Sequence, residues 1–410
     1  MTRKPELLLP AGSPDVLRTA IDYGADAVYL GGEAFGLRAM AKNFTTEEMA
    51  EGIAYAHARG RKVYVTVNIL AHNEDLAAAE RYFAELSGIR PDALIVSDPA
   101  LFMAAKRLCP GIDLHISTQA NNTNYGTFLF WHELGAKRVV AARELSLREL
   151  SEIRDRIPED LEIEAFVHGA MCISYSGRCL LSSFLAGRDA NRGACAHPCR
   201  WKYALVEEKR PGQYIPVEED ERGTYIFNSK DLCMIRHIPE LCEAGIRSFK
   251  IEGRMKTALY AAVTARSYRK ALDDWFEDPQ LYREHLPLYE EEISKCTYRE
   301  FTTGFYFGKP DSSAQIYDSN TYVRSWTYLG TVERIDEEGR ACFPQKNKFC
   351  VGDKVEIMKK DFRNVTSLVR GIRNGEGEDM ESAPHPLEEL RVLLDPAPEP
   401  GDLIRMETKE

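Results

Sequence analysis

The first two thirds of this 410-residue chain alternate short aliphatic segments with longer amphipathic ones, and this alternation constrains the fold more than any other feature. Eight segments are rich in aliphatic or β-branched residues, and most end in Gly, Asn, Asp or Gln, as strands do. These predicted strands cover residues 6–11, 27–32, 62–68, 93–98, 113–119, 138–142, 163–169 and 248–253. Because strands that alternate with helices form parallel sheets, the pattern predicts a (β/α)8, TIM-like barrel. A doubly wound open sheet is the alternative, although no GxGxxG follows the first strand.

Helical segments separate these strands, at residues 45–59, 73–86, 125–134 and 146–157. A further helix is predicted over 257–275, after the last strand. Thr45 and Ser146 each precede a glutamate by three residues, which is the capping-box pattern. We therefore expect helices to begin directly after Thr45 and Ser146.

The pattern divides the chain into three parts. Residues 1–276 are predicted to form the barrel, with a cysteine-rich insertion at 170–245 after the seventh strand. Residues 277–322 are less regular and form a connecting segment. From residue 323 short strand signals recur at 327–335, 340–343, 355–358 and 389–394, separated by Val-Gly-Asp and Pro-Gly-Asp turns. Residues 323–410 therefore predict a small β-barrel domain.

Charge and hydropathy exclude some classes of protein. The net charge of −11 argues against non-specific binding of nucleic acid over the whole surface, but it permits a local basic patch. No apolar run is long enough to span a membrane, and the apolar start is too short for a signal peptide. We expect a cytoplasmic protein with no membrane contact, where clustered cysteines are metal ligands or redox groups rather than disulfides.

Five of the ten cysteines lie close together in the predicted insertion, among glycine, serine and asparagine. They are Cys172, Cys179, Cys195, Cys199 and Cys233. Zinc favours pairs of closely spaced cysteines, and only Cys195 and Cys199 resemble such a pair. The wider spacings favour a 4Fe–4S cluster, which takes four thiolates. Separate buried thiols are the alternative.

Polar residues gather at the ends of the predicted strands, where a barrel places its active site. The candidates for binding and catalysis are Asn68, Gln119, Asn121, His168, Glu252, Arg254 and Lys256. Arg254 and Lys256 are predicted to bind an anion such as a carboxylate or phosphate. Glu252 would orient one of these cations or act as an acid or base.

Each of the remaining candidates has more than one interpretation. His168 is a general acid or base, a neighbour of the metal cluster, or a packed histidine. The amides of Asn68, Gln119 and Asn121 can read a base edge or an organic acid, or they satisfy backbone groups. The sequence contains no HExxH, G-x-S-x-G or phosphate-binding loop motif, so it offers no standard hydrolase site.

Several motifs resemble those of one protein family. They are EAFVHGAMCISYSGRCLLS at 164–182, GRDANRGACAHPCRW at 187–201, NSKDLC at 228–233, KIEGR at 250–254, LPAGS at 9–13 and GFYFG at 304–308. Together they resemble the collagenase-like peptidase family of unknown mechanism, number thirty-two in its class. The resemblance covers nearly the whole chain. Within the family, the length and the trailing β-domain resemble the tRNA hydroxylation protein P group.

This resemblance implies prephenate-dependent, oxygen-independent hydroxylation of a tRNA wobble uridine to 5-hydroxyuridine. The implied partners are tRNA, prephenate and an unidentified electron donor, and Trp201, Tyr203, Trp326 or Tyr328 would stack on a base. The implied cofactor is a 4Fe–4S cluster, and Cys199 is the alternative to one of its four ligands. Those ligands are Cys172, Cys179, Cys195 and Cys233. Sister groups hydroxylate ribosomal RNA or a ubiquinone precursor, and a collagenase-like peptidase is the alternative activity.

Overall fold

The computed structural model describes residues 3–36, 43–172, 178–196, 198, 205–206, 214–215, 218–220, 223–225, 230–309 and 322–408. In the first 302 residues the strands are β1 Glu6–Pro10, β2 Ala27–Gly31, β3 Lys62–Val67, β4 Ala93–Val96, β5 Asp113–Ile116, β6 Arg138–Val140, β7 Glu162–Gly169, β8 Leu205–Val206, β9 Tyr214–Ile215, β10 Glu218–Asp220, β11 Gly223–Tyr225, β12 Asp231–Cys233, β13 Ser248–Ile251 and β14 Phe301–Thr302. The helices are α1 Pro14–Asp22, α2 Thr46–His57, α3 Leu76–Ile89, α4 Pro99–Leu108, α5 Tyr125–Leu134, α6 Leu147–Arg156, α7 Leu181–Ala186, α8 Ile238–Glu243, α9 Ala258–Glu277 and α10 Pro279–Ile293.

Eight of the strands close into a parallel barrel. The hydrogen-bonded order runs β13-β1-β2-β3-β4-β5-β6-β7, and parallel pairing of β7 with β13 closes the ring. All eight predicted strands are thereby confirmed, and the open doubly wound sheet is wrong. Because every barrel strand is parallel, the carboxyl ends of the strands meet at one mouth, as in other TIM barrels.

The helix starts follow the predicted caps. The Thr45 hydroxyl accepts a hydrogen bond from Glu48 N, and the Glu48 carboxylate accepts one from Thr45 N, at 3.1 and 3.0 Å. Ser146 and Glu149 form the same reciprocal pair at the start of α6. Both capping boxes are confirmed, and each satisfies backbone N–H groups that the first helical turn leaves unpaired.

The barrel interior below the mouth holds paired charges. Arg138 donates to Glu6 at 2.6 Å and to Glu164 at 3.1 Å, and Lys250 donates to Glu164 at 2.7 Å. The Tyr64 hydroxyl donates to Glu6 at 2.6 Å. These side chains are almost fully removed from water, so each charge depends on its partners. This network of ion pairs and hydrogen bonds stabilises the barrel interior beneath the mouth.

The chain between β7 and β13 extends the barrel wall outward. β12 pairs antiparallel with β7, and β14 pairs parallel with β12. The connecting segment, predicted as less regular, contains the 15-residue helix α10, which packs against α9. None of the helices in the described ranges combines the length and the apolar character needed to cross a bilayer.

The C-terminal domain is an antiparallel sheet structure. Its strands are β15 Trp326–Thr331, β16 Arg334–Ile335, β17 Ala341–Pro344, β18 Phe349–Cys350, β19 Lys354–Met358, β20 Asn364–Arg373, β21 Asp379–Met380, β22 Ser382–Ala383, β23 Glu389–Asp395 and β24 Leu403–Glu407. The main sheet runs β15-β24-β19-β20-β23-β17-β16. A hydrogen bond of 2.8 Å from Lys346 N to Leu329 O joins the segment after β17 to β15. This bond draws the two ends of the sheet together around their own apolar core.

A buried ion-pair network fixes this domain to the barrel helices. Arg405 of β24 donates two hydrogen bonds to Glu292 of α10, at 2.7 and 2.8 Å. Arg266 of α9 lies 2.7 Å from the same carboxylate. The Tyr23 hydroxyl at the end of α1 also donates to Met358 O at 2.8 Å. These contacts hold the two domains in one arrangement.

Candidate active site

A set of small polar side chains lines the mouth at the ends of β3, β4 and β5. The Asn68 amide donates to Ser117 Oγ at 3.1 Å, and Ser97 Oγ donates to Asn68 O at 2.9 Å. The Oδ1 atom of Asn68 is buried and has no hydrogen-bond partner among the described residues. A buried acceptor of this kind is costly unless a ligand supplies its donor. Asn68 thus has an available acceptor at the mouth, and its role in binding a substrate stays a prediction.

Arg254 brings a positive charge to the same mouth. It follows β13, is 5% exposed, and directs its guanidinium toward the ends of β2 and β3. Its Nη2 donates to Asn43 Oδ1 at 2.9 Å, and its Nη1 lies 3.4 Å from Thr66 Oγ1. Gly31 allows this approach, because a Cβ atom there would lie 2.5 Å from Nη2. The result is a fixed, planar cation that suits a carboxylate or phosphate.

Glu252 is the acidic residue that directly follows β13. Its carboxylate accepts a hydrogen bond of 3.1 Å from Arg143, and the Arg143 guanidinium lies 4.0 Å from the ring centroid of Phe166. Glu252 N donates to His168 O at 2.8 Å, which fixes its backbone. Arg143 directly follows the predicted strand at 138–142, so the sequence already places it at a strand end that faces the mouth. Its contact with Glu252 is seen only in the structure.

Lys256 and Arg254 have different hydrogen-bond partners. Lys256 N donates to Gly253 O at 2.9 Å, so the chain turns between the two cations. The Lys256 ammonium lies 3.3 Å from Thr297 O and within 5.4 Å of the ring centroids of Tyr260 and Tyr322. Both residues nevertheless line one cleft, and their binding of an anion stays a prediction.

The two other amides lie in the short turn after β5. Gln119 is partly buried within the 3-10 turn Thr118–Ala120. Asn121 ends that turn with φ of 59°, a left-handed conformation that asparagine tolerates better than most residues. Its Oδ1 is buried without a partner among the described residues. Asn121 thus combines a backbone role with an available acceptor.

His168 lies behind the mouth, in an aromatic cage. It is 1% exposed, and its ring centroid lies 5.6 Å from those of Tyr268 and Phe301. Burial lowers the pKa of His168 to about 4, and the nearby Asp231 offsets only part of this effect. A neutral, enclosed imidazole corresponds to the packed interpretation. Its catalytic role stays a prediction.

The four predicted cluster ligands differ in their surroundings. Cys172 is exposed, and Cys179 and Cys195 are partly exposed, whereas the sulfur of Cys233 lies 3.9 Å from the Tyr268 hydroxyl. Burial raises the pKa of Cys233 to about 11. All four are free thiols, and Cys199, Trp201 and Tyr203 lie outside the described residues.

The segment that carries Cys179 and Cys195 is attached to the loop after β3. Arg192 pairs with Asp75 at 2.9 Å, and Leu70 N donates to Asn191 O at 3.2 Å. This attachment holds the cysteine segment near the mouth. Four free thiols match the donor chemistry of an iron–sulfur cluster. Across the described ranges, however, no three Cys, His, Asp or Glu side chains converge as metal ligands, so the ligand set stays a prediction.

Comparison with known proteins gives a consistent result over both domains. The family model described as "Peptidase family U32" matches residues 12–316, and that of the "Peptidase family U32 C-terminal domain" matches residues 324–405. The "tRNA hydroxylation protein P1" of Bacillus subtilis is 39% identical over 409 residues, covering 99% of this chain and 95% of that protein.

Two Escherichia coli proteins are also similar. The "tRNA hydroxylation protein P" is 39% identical, covering 93% of this chain and 92% of that protein. The "23S rRNA 5-hydroxycytidine C2501 synthase" is 38% identical over 273 residues, covering 67% of this chain but 40% of that protein. The similarity to the tRNA relatives therefore includes the C-terminal domain as well as the barrel.

Proposed function

Because this chain belongs to peptidase family U32, we propose that it is an RNA-hydroxylating enzyme whose substrate is tRNA. The observation that carries the proposal is the near full-length similarity to relatives named for tRNA hydroxylation. A second relative class, named for a 5-hydroxycytidine product in ribosomal RNA, also concerns hydroxylation of a pyrimidine. We propose the wobble uridine as the target and 5-hydroxyuridine as the product.

We propose that the mouth binds a small anionic co-substrate, prephenate. Arg254 presents a planar guanidinium that can bind a carboxylate through two parallel hydrogen bonds. Its position is fixed by Gly31, Thr66 and Asn43. The free Oδ1 of Asn68 can accept a hydrogen bond from a ligand hydroxyl or from the N3–H group of uracil. Both groups lie at the carboxyl ends of barrel strands.

Hydroxylation at C5 of uracil replaces a C–H bond by a C–OH bond: uracil and water give 5-hydroxyuracil, two protons and two electrons, and a separate two-electron oxidant must accept the electrons. We propose that Cys172, Cys179, Cys195 and Cys233 hold a 4Fe–4S cluster, which would relay these electrons to that oxidant. Glu252 would accept the proton that leaves the ring, since Arg143 holds its carboxylate in a defined position. Arg143 would stabilise the negative charge on Glu252 before the proton arrives.

The experiment that tests this function is nucleoside mass spectrometry of tRNA from cells. A strain that lacks the gene receives the wild-type gene, Cys172→Ala or Arg254→Ala, with Cys350→Ala as a control outside the predicted ligand set. We expect 5-hydroxyuridine derivatives with the wild type and Cys350→Ala only. Persistence of the modification in the empty deletion strain would contradict the proposal. Cleavage of gelatin by the purified protein, without any change in tRNA, would instead support a peptidase.

A further inference from the structure

A large cleft lies between the barrel and the C-terminal domain. Its volume is about 1160 Å³, and its walls are the loop after β1, the amino ends of α1 and α9, and β15 with the segment after β17. Small-molecule pockets typically measure roughly 300–1,000 Å³. The cleft therefore has room for part of a polymer as well as for a metabolite.

Cations outnumber carboxylates on the walls of the cleft. Arg18, Lys256, Arg324 and Lys346 come from both domains. The amino ends of α1 and α9 add the partial positive charge of their unpaired N–H groups. The cleft thus offers positive charge along its length on a chain whose net charge is −11. A local concentration of this kind favours a polyanion.

The carboxylates of the cleft are Asp15, Asp22 and Glu333. Asp22 is already engaged, since it accepts from Tyr55 at 2.7 Å and lies 3.1 Å from the Lys360 ammonium. Burial, together with the charges of Glu389 and Asp15, raises the pKa of Glu333. Asp15 lies in the first turn of α1, which favours an acidic residue by itself. The four cations therefore dominate the charge that a ligand meets.

One residue separates this cleft from the barrel mouth. The backbone of Arg254 lies against Gly12 on the cleft side, where a Cβ atom at Gly12 would lie 2.1 Å from Arg254 O. The side chain of the same arginine extends into the mouth, toward Thr66. A strand of nucleic acid in the cleft would therefore lie next to the site where a single base could enter.

The cleft also contains two of the aromatic residues that were predicted to stack on a base, Trp326 and Tyr328. The ring of Trp326 lies 5.1 Å from both Lys295 Nζ and Arg405 Cζ, and Tyr328 is buried with its hydroxyl bonded to Thr331 at 2.7 Å. Tyr328 is enclosed by the protein, whereas Trp326 is partly exposed, and stacking of a base on these rings stays a prediction. The inference therefore rests on the charged groups of the cleft.

We propose that the interdomain cleft binds the sugar–phosphate backbone of the RNA substrate while the target base enters the barrel mouth. The proposal rests on the proposed function for the identity of the RNA, and it adds where the RNA lies and which residues hold it. Arg324 and Lys346 are its principal phosphate contacts on the C-terminal domain.

The test uses the full-length protein and unmodified tRNA, with the double variant Arg324→Ala and Lys346→Ala. Lys348→Ala is the matched control, because Lys348 is exposed two residues further along and does not line the cleft. Fluorescence anisotropy at several salt concentrations gives the dissociation constant and its salt dependence. We expect the double variant to bind about tenfold more weakly and its salt slope to fall by about two, at roughly 0.9 per lost phosphate contact. Lys348→Ala should bind within about twofold of the wild type.

Two outcomes would overturn the inference. In the first, the wild-type protein does not bind tRNA, and in the second, the double variant has an unchanged affinity and salt slope. Melting temperatures of all variants identify any loss of fold. Nucleoside analysis of the same samples separates this inference from the proposed function. Lost binding in the double variant without hydroxylation by the wild type supports the cleft and contradicts the hydroxylase. Hydroxylation by the double variant with an unchanged KM for tRNA supports the hydroxylase and contradicts the role of the cleft.

Discussion

The guanidinium of Arg254 lies directly over Gly31, with no space between them for a methyl group. A Cβ atom at Gly31 would lie 2.5 Å from Nη2 and 2.7 Å from Nη1. Gly31→Ala should therefore displace Arg254 from the mouth while leaving its charge in the protein. We expect at least about a tenfold loss in kcat/KM for hydroxylation, equivalent to ~1.4 kcal/mol.

Gly36→Ala is the matched control for this substitution. A Cβ atom at Gly36 would lie 3.7 Å from Thr66 Oγ1 and 3.8 Å from Arg254 Nη1, which is ordinary contact. We expect Gly36→Ala to keep its kcat/KM within about twofold of the wild type. Equal activity of Gly31→Ala and wild type, measured by nucleoside analysis with purified proteins, would show that the position of Arg254 is unimportant.

Glu252→Gln tests the proposed proton acceptor. The substitution keeps the size of the side chain but removes the charge that faces Arg143. Since acid–base groups typically contribute about 10²–10⁴-fold, kcat should fall by about that factor while the affinity for tRNA stays constant. Glu277→Gln, at the exposed end of α9, is the control. A Glu252→Gln enzyme with wild-type kcat would rule out the proton-transfer role.

Iron content tests the predicted ligand set independently of activity. Cys172→Ala, Cys179→Ala, Cys195→Ala and Cys233→Ala should each lower iron and sulfide in anaerobically purified protein, because a 4Fe–4S cluster takes four thiolates. Cys350→Ala should retain the wild-type content of both. A single variant among the four that keeps all its iron and sulfide would remove that cysteine from the set, and Cys199→Ala would then be expected to lose them.

The contact between the domains should depend on Glu292. Its side chain is 3% exposed and is shared by Arg405 and Arg266. Glu292→Gln therefore removes this carboxylate from buried Arg266 and leaves Arg405 with Glu356 as its remaining carboxylate. Breaking such a buried pair costs roughly 3–5 kcal/mol, and calorimetry should show a clear loss of thermal stability. Glu291→Gln, whose side chain is 65% exposed, should change stability by less than about 0.5 kcal/mol. Equal melting of the two variants would contradict this account of the interface.

Because Glu292 is buried and ionised at this interface, we expect the stability of the protein to fall in acid. Burial alone would raise the pKa of Glu292, but hydrogen bonds from Arg405 and the charge of Arg266 outweigh it and lower the pKa from 4.5 to about 2. The unfolded chain therefore binds this proton at a higher pH than the folded chain does. The stabilisation is present above pH 4.5 and is lost as the pH falls toward 2. Its size is about 3 kcal/mol. Unfolding by denaturant between these pH values should show this dependence in the wild type and a weaker one in Glu292→Gln.

The barrel was predictable because its strands are short and aliphatic and end in turn-forming residues. The helix starts were predictable because capping boxes act within four residues. Helix α10 and strands β20 and β24 are among the elements of the second half that were not predicted. Helix α10 contains Pro287, which interrupts a helical pattern. Strand β24 has four consecutive buried residues, so it lacks alternation, and the exposed positions of β20 weaken its signal.

The site was predictable as a location but not as a geometry. Strand alternation places His168 on the same face as Glu164 and Phe166, inside the barrel. The pairing between β7 and β13 shifts at this point, so that Lys250 pairs with Phe166 and Ile251 with His168, and His168 contacts the tyrosines of α9. The turn after Gly253, which sets the different partners of Arg254 and Lys256, is likewise not visible in their spacing. Local spacing does not encode register shifts or turns of this kind.

Reconstitution with purified components tests most directly whether this chain hydroxylates tRNA. Anaerobically purified protein is incubated with tRNA from the deletion strain, with and without prephenate, and the nucleosides are analysed by mass spectrometry. We predict 5-hydroxyuridine at the wobble position in the presence of prephenate, and its loss with Arg254→Ala. An unchanged nucleoside profile, from protein that contains its iron and sulfide and binds the tRNA, would contradict the account.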